Sequence, residues 1–478
     1  MKTVLAGARL RHLREERGLS QAALAQQLEI SASYLNQIEH DKRPLTVPVL
    51  LRITEAFGID AEFFSTQDTA RLVAELRDAL LDEAIGVDVS DGEVAELAAA
   101  MPSVARALIS LRRRYRDTVE RTTAQLGGQG TAADALPATM PHEEVRDFFY
   151  DRKNYIGPLD EAAERVNSEL DLRPGDARVP LVRRLRDRHD VRVVGRPADA
   201  PAGELRRYDP EARVLRLSEQ LRPGQQAFQL ATQLAFLEHD ELLDDLVADA
   251  RLSGPEAQGL TRIGLAHYYA AAVLMPYRPF RATAEEFHYD VERLADHFRV
   301  GFEVVCHRLS TLQRPRLAGV PFSFVRVDRA GNMSKRQSAT GFHFSRGGGT
   351  CPLWAVYEAF TTPGRILTQV ARMPDGRDYF WIARTVARRR TGYGMPTKTF
   401  ALGLGCELRH AHRLVYSRGL DLADRSSATK IGMGCKTCEW TDCPQRAFPS
   451  LGRSLAVDER RSTFVPYPSD ERQAESAG

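Results

Sequence analysis

The chain has 478 residues, enough for about three domains at ~150 residues each. It is 43% hydrophobic and 27% charged, with 34 glycines and 25 prolines, which excludes collagen-like, low-complexity and disordered classes. Its 66 Lys plus Arg against 64 Asp plus Glu leave a net charge of +2, too balanced for a histone-like polycation but compatible with a local nucleic-acid footprint. The longest apolar run, near Ala270–Pro276, falls far short of the roughly 18–20 residues that span a bilayer. The N-terminus turns charged at once, unlike a signal peptide. A cytoplasmic protein without a membrane partner is expected. Only seven of the 66 basic residues are lysine, a compositional bias that by itself implies no mechanism.

Residues 1–65 predict short helices, with apolar residues at helical spacing in Leu5–Arg17, Gln21–Leu28, Tyr34–Ile38 and Val47–Phe57. Gly18 breaks the first from the second, and Ser20 and Ser31 are N-caps. Residues 66–121 read as a helical spacer and dimerisation element, with breaks near Val87–Asp91 and at Pro102. Residues 122–142 carry Gly, Ala, Pro and Thr without an apolar period and read as a linker. Residues 143–320 are mainly helical, with a hairpin at Arg207–Leu217. Residues 321–478 change character. Strands are predicted at Pro321–Val327, Arg365–Met373, Tyr379–Arg388 and Thr399–Leu408, then a helix at Arg409–Ser417 and a polar tail beyond Pro468. The fold class is therefore multidomain and mainly α: an all-α head, an α-rich middle domain and an α+β C-terminal domain.

The segment LSQAALAQQLEISASYLNQIEHDKR places two helices about a tight turn, with small Ala25 at their approach, as a helix-turn-helix does. Residues 8–65 resemble the lambda-repressor-like (Cro/cI or XRE) family. The resemblance implies that Gln21 contacts a phosphate, that Ser33, Asn36 and Gln37 face base edges, and that Lys42 and Arg43 touch the DNA backbone. It also implies a structural ion pair between Arg14 and Glu39. One such head binds weakly, so a homodimer or higher homo-oligomer on a two-fold double-stranded operator is expected.

In the middle domain, Gln225–His239 resembles the HExxH helix of the ImmA/IrrE metallopeptidases. Thr232, Gln233 and Phe236 stand where that motif has its two metal-binding histidines and its base. Ala266–Pro276 (AHYYAAAVLMP) resembles a second signature of that family, with Leu265 where an acidic ligand belongs. These side chains cannot build a catalytic zinc site, so the domain is not expected to be an enzyme. Phe236, Tyr268 and Tyr269 make the former metal cleft apolar, which suits either a filled core or a ligand pocket.

The run GCKTCEWTDCPQRAFP gathers Cys435, Cys438 and Cys443. In a reducing compartment this spacing points to metal rather than disulfide: an iron–sulfur cluster, with zinc as the alternative. Cys406, Cys351 or His410 would supply a fourth ligand, with Cys406 placed first. The Gly-rich run Arg346–Thr350 reads as a turn, and Arg388–Arg390 as a solvated face.

The order of these parts resembles the short-chain fatty acyl regulators of the RamB and PrpR type. The residues that carry this are QIEHDKRPLTVPVLLRITEAFG, AHYYAAAVLMPY and GCKTCEWTDCPQRAFP. The resemblance implies transcriptional control of acetate or propionate metabolism, through glyoxylate-shunt or methylcitrate-cycle genes, with an acyl-CoA as effector. Phe236, Tyr268 and Tyr269 are candidates for the acyl group. Arg184, with Arg183, Arg186 and Arg188 beside it, is a candidate for the phosphates. Two other readings remain open. One is a redox or iron sensor acting through the three clustered cysteines. The other is an IrrE-type peptidase, against which the missing ligands argue.

Overall fold

The computed structural model describes residues 10–11, 13–14, 19–40, 42–43, 45–57, 66–80, 89–112, 140–196, 204–340, 351–388, 393–394, 397–435, 438–449 and 459–465, with single residues between and beyond these stretches. The predicted linker up to residue 139, the Gly-rich run at 346–350, Arg389, Arg390 and the tail from residue 468 lie outside the described residues.

The head contains α1 (Gln21–Gln27), α2 (Ala32–Glu39) and α3 (Val47–Phe57). Ser20 accepts a hydrogen bond from the Ala23 amide and Ser31 from the Tyr34 amide, so both predicted caps start their helices. Leu24, Ala25, Leu35, Ile38 and Ile53 form the core. The spacer comprises α4 (Thr66–Leu80), α5 (Asp91–Ala100) and α6 (residues 102–112). Ser90 and Glu93 close a capping box on α5. Pro102 opens α6, where its missing N–H costs nothing. Leu76, Val94, Ala98, Ala105 and Ile109 hold the three helices together.

The middle domain begins with α7 (Pro141–Asp151), so the last two residues of the predicted linker are already helical. Then come α8 (Gly157–Glu169), α9 (Arg178–His189), β1 (Arg192–Arg196), β2 (Arg206–Asp209), β3 (Val214–Ser218), α10 (Pro223–Glu238), α11 (Asp240–Ala248) and α12 (Pro255–Leu274). The predicted hairpin is β2 antiparallel to β3, and β1 adds to β3 in parallel. The central helix α12 is buried along most of its second half. Three helices, α13 (Tyr277–Glu286), α14 (Val291–Phe298) and α15 (Phe302–Leu309), lead into the last domain.

There a six-stranded sheet runs β5-β4-β8-β7-β6-β9. Its strands are β4 (Ser323–Val327), β5 (Met333–Ser338), β6 (Leu367–Arg372), β7 (Asp378–Arg388), β8 (Lys398–Glu407) and β9 (Thr429–Lys430), with α16 (Ala355–Glu358) between β5 and β6. Alternation sorts the side chains onto two faces. Phe324, Phe380, Ile382, Leu402, Leu404 and Cys406 pack on the α13–α15 side. Val325, Trp381, Ala383 and Ala401 pack on the other side, against Cys351, Trp354 and Ile431. Gly405 has no room for a side chain, because a Cβ there would lie 2.4 Å from the Trp381 ring. The predicted helix after β8 is instead two short 3-10 helices, Leu408–Arg413 and Val415–Ser417. Among the described residues no single helix is long and apolar enough to cross a membrane.

Candidate functional site

On α2, Leu35, Ile38 and Glu39 point into the head while Ser33 and Asn36 are exposed and Gln37 is half-buried. This is the outcome of a 3.6-residue period on a helix with one apolar side. Buried Glu39 organises the approach. Arg14 donates from Nε at 2.7 Å and from Nη2 at 3.2 Å to its two oxygens. Gln21 Nε2 donates to Glu39 Oε2 at 2.9 Å and to Asn36 Oδ1 at 3.4 Å. Gln21 and Asn36 are therefore held together at the exposed end of the motif. Lys42 and Arg43 are exposed beyond α2, with the Arg43 guanidinium 5.6 Å over the Tyr34 ring.

The former metal helix α10 is closed by its own substitutions. Thr232 donates to the Phe228 carbonyl at 2.7 Å, and Gln233 and Leu265 are buried. Of the residues expected to meet a ligand, three are committed within the fold. Tyr268 donates to Asp160 Oδ2 at 2.5 Å and accepts from the Ile156 amide at 3.1 Å. The Tyr269 hydroxyl lies 3.2 Å from His239 Nε2. Arg184 is forked onto Glu238 at 2.7 and 2.9 Å and reaches Glu169 at 2.8 Å, which satisfies its guanidinium. Only Phe236 keeps partial exposure, with the Arg206 guanidinium 5.3 Å over its ring.

Near Arg206 and Phe236 the fold assembles histidines and cations that sequence reasoning missed. His267 on α12 keeps solvent access and lies 5.5 Å from the Phe228 ring. Enough protein surrounds it that burial lowers its pKa to about 4, with Lys335 and Arg206 adding to the effect. His307 on α15 is pushed well below the usual imidazole range, by burial first and then by Lys335 and His267. Burial brings Lys335 on β5 down to about 8, opposed by Glu303 and helped by Arg326. Glu303 is already paired to Arg326 at 2.7 Å. Arg206 Nη1 is buried without a hydrogen-bond partner. No local motif announces this group, because it is drawn from β2, α12, α15, β4 and β5. Elsewhere, a pocket beside Arg173 and Gly224 holds about 20 Å³, room for little more than a water molecule.

The cysteines divide by sheet face. Cys406 sits on β8 opposite Phe380, buried on the α13–α15 side. Cys351 packs on the other face, where Cys435 and Cys443 lie within its electrostatic reach and Cys438 couples to Cys351 and Cys443. The structure does not bring Cys406, the expected fourth ligand, to the other thiols, because strand parity puts the sheet between them; Cys351 is the thiol that lies on their side. His410 does not join them either; it is surrounded by Arg409, Arg413 and His412. Backbone amides of Gly432 and Leu353 bond to the Cys351 sulfur, and that of Trp440 to Cys438. A Cβ on Gly432 would lie 2.5 Å from Cys438 Sγ. Arg446, buried, donates to the carbonyls of Cys435 at 3.0 Å and Cys438 at 2.9 Å and pins the loop. Amide donors aimed at sulfur and a glycine cradle suit thiolates bound to metal. Among the described residues the thiols are not drawn in tightly enough to chelate a single ion.

Comparison with known proteins follows the same division. Residues 5–63 match a helix-turn-helix domain, residues 186–310 the IrrE N-terminal-like domain, and residues 311–467 the C-terminal domain of short-chain fatty acyl coenzyme A regulators. The chain is 57% identical to the HTH-type transcriptional regulator RamB of Mycobacterium tuberculosis, over 98% of this chain and 99% of that one. It is 52% identical to PrpR of the same organism, over 98% of this chain and 96% of that one. It is 42% identical to a propionyl-CoA carboxylase regulator of Cereibacter sphaeroides, over 97% of this chain and 98% of that one. A solved Mycobacterium tuberculosis transcriptional regulator, 55% identical, superposes with a TM-score of 0.67 over 69% of this chain and all of its own. With a reading head, a peptidase-like helix stripped of its ligands and a cysteine-bearing sheet domain all matched end to end, the chain belongs to the RamB/PrpR family of helix-turn-helix transcriptional regulators.

Proposed function

We infer that this regulator reads operator DNA with α2 and changes its DNA affinity when a short-chain acyl-CoA occupies the cleft between α10, α12, α15 and β5. The observation that carries this is the basic group beside Phe236: Arg206, over its ring, has an unpartnered buried nitrogen, and Lys335, which shares His267 with Arg206 as an electrostatic neighbour, makes no ion pair with a described residue. Buried cations without anions are costly, so the arrangement suits a ligand that brings phosphates. Phe236 offers the apolar wall for the acyl end, with Tyr268, Tyr269 and Arg184 as the framework behind it. Substitution at Thr232, Gln233, Phe236 and Leu265 supports a binding role over a peptidase. The regulated genes are those of acetate or propionate metabolism, in keeping with the propionyl-CoA carboxylase regulator among the relatives.

Ser33, Asn36 and Gln37 read bases; Gln21, Lys42 and Arg43 hold phosphates. A homodimer supplies two heads, supported by the exposed apolar residues Val104 and Leu111 on one side of α6 and Tyr115 beyond it. Cys351, Cys435, Cys438 and Cys443 hold an iron–sulfur cluster. Zinc held by the same four thiolates is the alternative. A bound cluster would cross-link residue 351 to the 435–443 loop and supply a one-electron redox couple. A redox-sensing reading is favoured by one contact, the ion pair of Glu439 in that loop with Arg77 of the spacer.

Titration calorimetry of the full-length protein with propionyl-CoA tests the cleft. Saturable binding is expected, weakened by Arg206→Ala by about 1.5–3 kcal/mol, the range for a hydrogen bond to a charged group. No binding, or binding indifferent to Arg206→Ala, refutes it.

A further inference from the structure

Among the described residues arginine carries most cation contacts, yet one of the chain's seven lysines, Lys335, stands within electrostatic reach of His267. The sheet register fixes where Lys335 faces. It lies opposite Arg326 in the β4–β5 ladder, on the face that carries Phe324, and so looks across to α15. Glu303 and His307 stand one turn apart on that helix, and His267 of α12 closes the other side within electrostatic reach. Unlike Arg326, Lys335 makes no hydrogen bond or ion pair with a described residue, and it keeps partial solvent access. A cleft that needed only charge would be better served by a guanidinium, which forks onto phosphate and never loses its proton. An amine adds one capacity that arginine lacks: it can be a nucleophile.

We propose that Lys335 is an acylation site, modified by a short-chain acyl thioester bound in the cleft. This rests on the reading that the cleft binds acyl-CoA. The amine nitrogen attacks the thioester carbonyl carbon. An N–C bond forms, the C–S bond breaks, and the electron pair leaves on sulfur. The proton released by nitrogen ends on the departing coenzyme A thiolate, so the products are an N-acyl lysine and free coenzyme A, with no other reactant. The surroundings favour the neutral amine. Burial, with Arg326 alongside, brings the group to about 8, against ~10.4 for an ordinary lysine. Glu303 opposes this but is itself held by Arg326. Acylation removes a cation from the cleft, so it weakens the next phosphate-bearing ligand and records exposure after the effector has gone.

The test incubates full-length protein with propionyl-CoA at pH 8 and follows each lysine by peptide mass spectrometry, with calorimetry in parallel. Lys335 is expected to react about tenfold faster than exposed Lys398 or Lys430, from its larger neutral fraction offset by lower intrinsic nucleophilicity. Excess coenzyme A should suppress the reaction. Lys335→Arg, which keeps the cation and removes the nucleophile, should carry no mark there. Saturable binding with Lys335 modified no faster than Lys398 overturns this inference and leaves the cleft reading standing. Absence of both binding and selective modification overturns the two together. Selective modification that a small thioester without phosphates reproduces equally, or that coenzyme A does not suppress, overturns the role of the bound donor.

Discussion

Asp160→Asn isolates the buried bond that joins α8 to α15, the helix that packs under the last domain's sheet. Asp160 on α8 is 0% exposed and Arg308 on α15 is 1% exposed. Arg308 Nη2 donates to Asp160 Oδ1 at 2.5 Å and Nη1 to Oδ2 at 3.4 Å. The same guanidinium reaches the Met275 carbonyl at 3.0 Å and Thr311 Oγ1 at 3.1 Å, and Tyr268 donates to the carboxylate from the third side. Asparagine keeps the shape but leaves a buried guanidinium without its counter-charge. Losing one partner of a buried pair costs about 3–5 kcal/mol. At ~2–4 °C per kcal/mol for a unit of 150–250 residues, the thermal midpoint should fall by roughly 10 °C. Glu164→Gln is the control, since its partner Arg314 and Glu164 itself are 15% and 24% exposed; pairs nearer the surface contribute about 0–1 kcal/mol. Circular dichroism follows the helices, while all three tryptophans lie in the last domain and report that sheet by fluorescence. Both signals should move together. Equal shifts from Asp160→Asn and Glu164→Gln, or a shift in only one signal, would refute the reasoning.

Asn36→Ala should relax base preference at ~1–3 kcal/mol per lost base contact, and Lys42→Ala should weaken all sequences alike with a flatter salt dependence; equilibrium binding to operator and scrambled DNA distinguishes them. Cys351→Ser should abolish bound iron, whereas Cys406→Ala should retain it at a stability cost of about 1 kcal/mol or slightly more for a small buried cavity. Iron content after anaerobic purification decides, and loss of iron in both variants would count against the face assignment. Stability should fall as pH drops from about 6.5 to 4. His267 is depressed to about 4 in the fold, so the unfolded chain, with an ordinary value of ~6.5, takes up that proton first. Midpoints should be level above this window and decline through it, less steeply in His267→Gln; identical profiles would contradict this.

The legible parts of the sequence were those with local causes. Ser20 and Ser31 announce helix starts because a hydroxyl can meet only nearby amides, and β4, β6, β7 and β8 alternate because each separates two cores. β5 reads MSKRQS, polar after its first residue, because it is an edge strand whose one face carries Lys335 and Gln337 toward α15 and whose other meets α7 through Arg336 and Glu143. β1 is short and pairs in parallel, which leaves no turn signal beside it. The segment after β8, rich in His and Arg, lacks the apolar stripe that would sustain an α-helix and tightens into 3-10 turns. The cysteine spacing was visible, but the fourth thiol was not. Cys351 and Cys406 differ only in which side of the sheet they occupy, a distinction carried by register.

The spacer must transmit whatever the sensing domains detect, and the magnitudes limit how. Arg77 of α4 pairs with Glu439 beside Cys438, across 362 residues of sequence. The two side chains are 21% and 37% exposed, so the pair contributes ~0.2–1 kcal/mol and less in salt. Allosteric coupling is typically ~1–3 kcal/mol. This contact alone is too weak to be the lever; it serves as a latch that sets which face of α4 the cysteine loop meets. The larger share must come from apolar surface, and α6 presents Val104 and Leu111 uncovered while Ala105 and Ile109 hold it to α4 and α5. Arg77→Ala should therefore change the effector-dependent shift in operator affinity by at most about fivefold, within the ~0.2–1 kcal/mol of an exposed pair. Leu111→Ser should have the greater effect, because it alters a surface free to meet a second subunit. Operator titrations with and without propionyl-CoA compare the two. If Arg77→Ala abolishes the effector response while Leu111→Ser preserves it, the loop contact is the lever after all and the apolar face is not.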